Sequence, residues 1–263
     1  MVILVMATET NIPAENTVAT EGASLCWSCN AALARNAHFC PSCGKVQPVT
    51  QIDYFEFFGL AGALGSAPVR KLNIDAGALE REFYRLSRKL HPDVFARASG
   101  KEQQWSLEKS SQLNDAYRTL KHPIARTQYL LELEGVKLEE QSSDATQAAR
   151  ISGEQKKQVV PPELLEEVFE LNMQLQELRM NKEVGEEDPT IGNDLQKAKQ
   201  KFEQMMNDAM AELKTYWDEW DAVVSTPGSC EAARIRVRDK MIRLLNRRSY
   251  IRNLVRDVNQ ALA

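Results

Sequence analysis

The sequence predicts an all-α protein, and three observations support this prediction. Apolar residues recur at steps of three and four along most of the chain. Gly and Pro number 12 and 10, and they cluster between the periodic segments instead of interrupting them. Segments with the alternating pattern of a β-strand are nearly absent. We therefore expect a helical hairpin followed by a three-helix bundle, with a small four-cysteine segment ahead of both.

Composition and charge limit the class of protein. The chain has 263 residues, 43% of them hydrophobic, which is enough for the core of one large or two modest domains. It has 33 basic and 37 acidic side chains, a net charge of -4, and so lacks the basic excess typical of nucleic-acid binding. The apolar stretch at residues 1–7 is shorter than the roughly 20 residues of a membrane-spanning helix. We expect neither nucleic acid nor membrane as a partner.

The first residues also bear on location. The first 34 residues contain no Lys or Arg and three Glu, unlike a signal peptide or a mitochondrial transit peptide. We therefore expect a cytoplasmic protein, with the mitochondrial matrix as the alternative.

Changes in composition divide the chain into five segments. The predicted segments are a disordered leader at 1–24, a four-cysteine segment at 25–50, a helical region at 51–136, a linker at 137–162 and a C-terminal domain at 163–263. The leader has no periodicity, and the linker is rich in polar residues and ends at Pro161-Pro162. Breaks at residues 185–192 and at Pro227-Gly228 predict three helices in the C-terminal domain.

The cysteines predict a metal site. Four of the five form two Cys-x-x-Cys pairs with ten residues between them: Cys26, Cys29, Cys40 and Cys43. Two such pairs can present four thiolates to one tetrahedral ion, a donor set that suits zinc and leaves no position for a catalytic water. We predict structural zinc, with His38 and Cys230 as spare ligands. Two disulfides or a redox pair are the alternatives, although the strand and helix of a thioredoxin-like site are missing.

Two long helices are predicted in the region 51–136. The first follows Asp75, a helix-capping residue, and has an apolar stripe from Leu79 to Leu90. Pro92 ends it. After a short loop, the apolar residues from Leu113 to Leu120 mark a second helix that runs to Pro123. We expect the two helices to pack antiparallel.

The first of these helices has a basic outer face that leads to a His-Pro-Asp tripeptide. Four cations and one acid, Glu82, give residues 81–90 a local charge of +3. Such a face is most simply a solvated helix surface. The tripeptide His91-Pro92-Asp93 changes that interpretation, because a rigid proline at the tip of a helix pair is an unusual feature.

This arrangement resembles a J-domain, with an aromatic entry, a basic helix, a His-Pro-Asp loop and a return helix. The resemblance extends to the HscB family of iron-sulfur cluster co-chaperones. It rests on Asp53-Tyr54-Phe55, Phe58-Gly59-Leu60, His91-Pro92-Asp93-Val94-Phe95, Leu113-Asn114-Asp115-Ala116-Tyr117, Leu120-Lys121-His122-Pro123 and Tyr129-Leu130-Leu131. It covers about residue 52 to the C-terminus, and some members have a similar N-terminal four-cysteine segment. It implies a J-domain at 51–136 and a scaffold-binding three-helix domain at 163–263.

The resemblance implies a co-chaperone, not an enzyme. J-proteins dock the His-Pro-Asp loop and the basic helix on an ATP-bound chaperone of the DnaK or HscA type and stimulate its ATP hydrolysis. The implied chaperone-binding residues are His91, Pro92, Asp93, Arg81, Arg85, Arg88 and Lys89.

The first C-terminal helix has two apolar stripes. One runs from Leu164 to Leu178 and is sufficient for the seam of a bundle. The second lies about 100° around the helix, is flanked by acids, and is either a partner surface or part of a wide buried face. The resemblance implies that an IscU-type iron-sulfur scaffold protein binds Leu165, Phe169, Glu170, Met173, Glu177 and Tyr250. Tyr250 lies off the apolar stripe of the last helix.

The last helix suggests a different function. From Arg234 to Arg256 it has nine cations and one acid, which fits either nucleic-acid binding or ion pairs across the bundle. A zinc-ribbon nucleic-acid-binding protein is therefore the alternative, but it leaves the His-Pro-Asp tripeptide unexplained. A redox or metal-transfer enzyme is less favoured, because no nucleophile with a neighbouring base is evident.

Overall fold

The computed structural model describes residues 24–64, 67–136, 160–184 and 189–262. Within these ranges the chain is mainly helical, which confirms the predicted all-α class. Nearly all of the predicted leader and most of the predicted linker lie outside the described residues. Among the described helices, none combines the length and the apolar character that crossing a lipid bilayer requires.

The chain forms two compact units. The first comprises Met1–Ile52 and Leu90–Ser110, and the second comprises Asp53–Lys89 and Ser111–Ala263. The division into five segments stays a prediction.

The first unit contains the four-cysteine segment. Strand β1 (Ser24–Leu25) pairs antiparallel with β2 (Ala32–Leu33), and an isolated bridge joins Phe39 to Val46. The segment has a small core in which Cys26 and Cys40 pack with Leu33. The unit also contains a 3-10 turn at Pro92–Phe95 and the first part of the helix that follows it.

The second unit begins with the aromatic entry. Helix α1 (Tyr54–Phe57) has a capping box in which the Asp53 side chain accepts from Glu56 N and the Glu56 side chain accepts from Asp53 N. A hairpin of β3 (Gly62–Leu64) and β4 (Ala67–Val69) follows. The sequence did not predict this hairpin, because strands of three residues are too short to show alternation.

The predicted helical hairpin is confirmed. Its helices are α2 (Ala76–Leu90) and α3 (Gly100–Lys121), and α4 (Pro123–Leu133) follows. Phe83 of α2 stacks on Tyr117 of α3 with ring centroids 4.0 Å apart. Glu80 lies one turn before Phe83 on α2, and Lys121 lies one turn after Tyr117 on α3. Lys121 Nζ is 3.9 Å from Glu80 Oε1. Because residue numbers decrease along α2 in the direction in which they increase along α3, the two helices are antiparallel.

Three helices form the C-terminal part. They are α5 (Leu165–Val184), α6 (Pro189–Ser225) and α7 (Glu231–Leu262), and a 3-10 turn at Pro162–Leu164 precedes them. The predicted seam is confirmed: Leu164 and Leu171 are buried with Leu195 and Phe202 of α6. Tyr250 requires a correction, because it is only 8% exposed and packs in this core instead of lying off it.

The start of the second unit packs against α6. Trp220 Nε1 donates to the carbonyl of Arg70 at 3.0 Å. The Asp221 carboxylate accepts from the backbone N–H of Leu72 at 2.7 Å and of Asn73 at 2.9 Å. These bonds satisfy backbone donors in the loop before α2, so the loop is fixed to the bundle.

Some of the cations of α7 form ion pairs with acids of other parts of the chain. Lys240 pairs with Glu219 of α6 at 2.7 Å, and Arg247 pairs with Glu212 of the same helix. Arg234 reaches the carboxylate of Glu134, just after α4, at 2.9 Å. Three of the nine cations from Arg234 to Arg256 therefore make the predicted pairs with other parts of the chain.

Candidate metal centre and partner-binding surfaces

The four predicted metal ligands come together in the first unit. The Sγ atoms of Cys26, Cys29, Cys40 and Cys43 all lie within 4.8 Å of one another. Cys26 Sγ is 3.7 Å from Cys43 Sγ, and Cys29 Sγ is 3.6 Å from Cys40 Sγ. A tetrahedral ion with metal–sulfur bonds of about 2.3 Å requires sulfur–sulfur distances of about 3.8 Å, so the cluster fits such an ion.

Tight backbone turns place these sulfurs. Asn30 N donates to the Cys26 carbonyl, and Gly44 N donates to the Cys40 carbonyl, each at 2.9 Å. Both turns require a positive φ, which is 57° at Asn30 and 71° at Gly44. Each Cys-x-x-Cys pair is thus followed by a residue that tolerates the left-handed conformation.

Two of the thiols, Cys26 and Cys40, have a lowered pKa. At Cys29 a backbone hydrogen bond from Ala31 is outweighed by burial and the neighbouring thiols, which raise the pKa to about 12. Burial raises the pKa of Cys26, but hydrogen bonds from the backbone N–H of Ser28 and Cys29 outweigh it and lower the pKa to about 6. Backbone hydrogen bonds from Cys43 and Ser42 likewise lower the pKa of Cys40. Thiolates are the form that binds metal, so these bonds favour a bound cation.

The predicted alternative of two disulfides is not present among the described cysteines. A disulfide needs sulfur atoms about 2 Å apart, and none of the described cysteines is bridged. Neither spare ligand, His38 or Cys230, belongs to the described group. Among the residues that the structure describes, these four cysteines form the candidate metal centre.

The four-cysteine segment also contacts the first turns of α3. The Trp27 ring meets the Trp105 ring edge-on with centroids 5.5 Å apart. Lys45 Nζ donates to Glu102 Oε1 at 2.9 Å. Sequence reasoning did not find this interface, because partners so far apart in the chain leave no local pattern.

The His-Pro-Asp turn, residues 91–93, is exposed. His91 Nδ1 accepts from Asp93 N at 3.3 Å, and Pro92 takes the first position of the 3-10 turn. The side chain of Asp93 is 91% exposed. Phe95 is buried and anchors the turn. A carboxylate so exposed, on a rigid turn, is available to a partner.

The predicted basic face of α2 is exposed as well. The side chains of Arg81, Arg85, Arg88 and Lys89 all face solvent. Glu82 pairs with Arg85 at 2.5 Å, and its hydrogen bonds raise the pKa of that guanidinium. This surface therefore keeps its net positive charge.

The second apolar stripe of α5 lies outside the core. Leu165, Phe169 and Met173 are 56%, 66% and 57% exposed, so the interpretation as a wide buried face is wrong. Met180, 58% exposed, continues the stripe. It was not predicted, although its position seven residues after Met173 keeps it on the same helix face. Large exposed apolar side chains in one row are typical of a partner surface.

Two predicted acids border this stripe. Glu170 and Glu177 are exposed. Glu170 also lines a cavity of about 180 Å³ between α5 and α6, whose walls include Leu171, Gln174 and Phe202. The structure thus brings five of the six predicted scaffold-binding residues onto the outer surface of α5, while the sixth, Tyr250, is in the core.

Comparisons with known proteins complete this description. No family model matches the chain. An iron-sulfur cluster co-chaperone protein HscB homolog of Arabidopsis thaliana is 32% identical over 159 residues, 60% of this chain and 53% of the relative. A co-chaperone protein HscB homolog of Vibrio cholerae is 38% identical over 87 residues, 33% of this chain and 46% of the relative. The chain is homologous to the HscB co-chaperones.

The structural comparison concerns the fold. The crystal structure of human co-chaperone protein HscB aligns with a TM-score of 0.53 and 22% identity, over 90% of this chain and 98% of that one. The two proteins therefore share a fold. The chain spans about half the length of the curated HscB relatives it matches.

Proposed function

We propose that this protein is a co-chaperone of iron-sulfur cluster assembly. In this proposal it binds an IscU-type scaffold protein and delivers it to a DnaK- or HscA-type chaperone, whose ATPase it stimulates. One observation supports the proposal most: an exposed His-Pro-Asp turn and an exposed apolar stripe occur together in a chain homologous to HscB co-chaperones. Neither surface requires catalytic chemistry from this protein.

The chaperone would be bound through two segments that follow each other in the chain. The cations of α2, namely Arg81, Arg85, Arg88 and Lys89, speed the encounter with an acidic surface. The Asp93 carboxylate is exposed and suited to a charge-assisted hydrogen bond with an arginine of the partner. Because Pro92 already restricts the turn, little conformational entropy is lost when it binds.

The scaffold would be bound through α5. Leu165, Phe169 and Met173 offer apolar surface that is exposed in the free protein and would be buried against a partner. Glu170 and Glu177 add negative charge at its border, which selects a scaffold with basic residues beside its own apolar patch. We assign Tyr250 to packing behind this helix, because it is buried.

We further propose that the metal at the four-cysteine cluster is zinc with a structural role. Four thiolates complete a tetrahedral site and leave no position for a substrate or a reactive water. Such an ion acts as a cross-link that holds a small segment together. Metal analysis of the purified protein tests this, with one zinc per chain as the expected result.

Single-turnover ATP hydrolysis by the chaperone tests the function. It is measured with and without this protein, and each condition with and without the scaffold. We expect stimulation by this protein alone and greater stimulation when the scaffold is added. Stimulation that does not increase when the scaffold is added would overturn the client assignment. Failure to stimulate either type of chaperone would overturn the proposal as a whole.

A location in the cytoplasm, or in the mitochondrial matrix, stays a prediction. Subcellular fractionation of the source cells tests it. Recovery with a membrane fraction after a high-salt wash would contradict both compartments.

A further inference from the structure

The His-Pro-Asp turn is held at both ends by the first half of α3. Leu90, at its entry, has a carbonyl that accepts from Ser106 Oγ and Ser110 Oγ, each at 2.7 Å. At its exit, Gln103 Nε2 donates to the carbonyl of Ala96 at 3.2 Å. The geometry of the turn therefore depends on where the first turns of α3 lie.

Glu102 is the residue that fixes this helix start. Ser99 and Glu102 form a reciprocal cap: Ser99 Oγ donates to Glu102 Oε2 at 2.8 Å, and Glu102 N donates to Ser99 Oγ at 3.4 Å. The other carboxylate oxygen of Glu102 accepts from Lys45 Nζ at 2.9 Å. Glu102 is 4% exposed, and the hydrogen bonds from Lys45 and Ser99 lower the pKa of its carboxylate. One buried carboxylate thus joins the four-cysteine segment to the start of α3.

A second contact supports the same connection. Trp27 lies between two of the cysteine ligands, and its ring packs against Trp105. Trp27 Nε1 donates to the carbonyl of Val46 at 2.8 Å. This bond connects the first Cys-x-x-Cys pair to the residues that follow the second pair. Glu102 and Trp105 are three residues apart and so share one face of α3, next to the face that holds the His-Pro-Asp turn.

The position of Lys45 depends in turn on the cysteine cluster. The Lys45 carbonyl accepts from Cys40 N at 2.9 Å. Apart from its cysteines, the segment buries two apolar side chains, Leu33 and Val46, and Ala31 and Ala37 pack beside Leu33. So small a core cannot offset the conformational entropy of folding, so the segment requires metal to stay folded.

We propose that Glu102 is a positioning residue through which metal in the four-cysteine cluster orders the His-Pro-Asp turn. Loss of the metal unfolds the segment, removes Lys45 and Trp27 from α3, and loosens the cap that holds the exit of the turn. The inference rests on the proposed function only in its last step, that an ordered turn stimulates a chaperone more strongly. Metal supply thereby sets the strength of coupling to the chaperone.

Amide hydrogen exchange of the full chain tests the structural step. The reporters are the N–H groups of Val94, Ala96 and Ala98, which are hydrogen-bonded within the turn and its exit. Removing zinc with a chelator should speed their exchange about tenfold or more, while amides of α7 keep their rates. Unchanged exchange at these three amides would overturn the proposal.

Variants separate the role of Glu102 from metal binding itself. Glu102→Gln and Lys45→Met should each raise exchange in the turn several-fold with zinc content unchanged. Lys45→Arg keeps the ion pair and should restore the slow rates. The matched control is Lys101→Met, which removes an exposed cation one residue before Glu102. Equal rates in Glu102→Gln and the control would refute a positioning role.

The chaperone assay then tests the last step. Lys45→Met should stimulate ATP hydrolysis less than the unaltered protein, whereas scaffold binding stays the same because α5 is untouched. If the unaltered protein stimulates no chaperone, the proposed function fails, and the exchange measurement still decides the coupling within this chain. Faster exchange together with unchanged stimulation would overturn the last step alone.

Discussion

Trp217 Nε1 donates a hydrogen bond to Thr127 Oγ1 at 2.9 Å, and both residues are buried. The bond joins α6 of the C-terminal bundle to α4. The guanidinium of Arg126 lies over the Trp217 ring at 4.5 Å, and burial there lowers the pKa of Arg126 to about 10. A buried cation with an aromatic partner needs fixed surroundings. Within the second unit, α4 and the bundle are therefore one packed body.

Trp217→Phe removes the donor of this bond and leaves Thr127 Oγ1 without it. We expect the free energy of unfolding to fall by about 1–3 kcal/mol, because a buried acceptor loses its partner. Denaturant unfolding followed by circular dichroism measures the change. Tyr84→Phe, at a site 54% exposed, is the control and should change stability by less than about 0.5 kcal/mol. Equal stability of the two variants would contradict the importance of the Trp217 bond.

Phe169→Ala distinguishes a partner surface from a structural one. Since Phe169 is 66% exposed, its loss should leave the free energy of unfolding unchanged within about 0.5 kcal/mol. Scaffold affinity, measured by calorimetry, should fall about tenfold or more if the side chain fills a pocket of the partner. Phe202→Ala is the contrasting variant, because Phe202 is 1% exposed and its loss should cost about 3–5 kcal/mol of stability. Unchanged scaffold affinity in Phe169→Ala would exclude this stripe as the client surface.

Replacing His91, Pro92 and Asp93 together by Ala should abolish stimulation of the chaperone ATPase. The physical reason is that the rigid turn and the exposed carboxylate are both lost, whereas the helices on either side are retained. Circular dichroism should show the same helix content, and scaffold binding should be unaltered. A variant that still stimulates ATP hydrolysis would show that the turn does not contact the chaperone.

Lys109 predicts a pH dependence of stability. It is 2% exposed, and burial lowers its pKa to about 8. Below pH 8 the folded and unfolded chains both keep the proton, and the buried charge weakens folding. As the pH rises from 8 to about 10.5, only the folded chain releases the proton, so the free energy of unfolding increases, by up to about 3 kcal/mol.

Lys109→Met should therefore be more stable than the unaltered protein at pH 7, and its advantage should shrink as the pH rises through 8 to 10. Denaturant unfolding of the zinc-loaded proteins at a series of pH values gives this difference, in which the other titrating groups cancel. Lys101→Met should show no such trend, because Lys101 is exposed. A constant difference between Lys109→Met and the unaltered protein would mean that Lys109 keeps an ordinary pKa.

Much of the fold was evident in the sequence because it depends on local spacing. The stripe from Leu79 to Leu90 predicted α2, and the steps from Leu164 to Leu178 predicted the seam of α5. The cysteine spacing predicted the cluster for the same reason, since each pair is one turn of backbone. Whether the second stripe of α5 is buried could not be predicted, because periodicity does not say how many helices pack against a face.

Contacts between distant residues escaped prediction. On α6, Trp217 is more deeply buried than its neighbour Tyr216 because it contacts Thr127 of α4, a partner distant in the chain. The reason is that α6 packs on α5 near its start and on α4 near its end, so its buried face changes along its length. Tyr250 was misplaced for a similar reason, because α7 buries more than one face of its helix.

The length of α6 has a further consequence. Near its start Phe202 packs with α5, and 19 residues later Asp221 binds the loop before the basic helix. At 1.5 Å per residue, these two points lie about 28 Å apart along a continuous rod. Under the proposed function, the length of α6 would set the distance between the apolar stripe of α5 and the basic face of α2. Inserting seven residues, about two turns, would keep every side chain on nearly its own face and move the cargo about 10 Å farther away. Under the proposed function, such an insertion would impair delivery while both partners still bind, so reach and affinity would be separate properties.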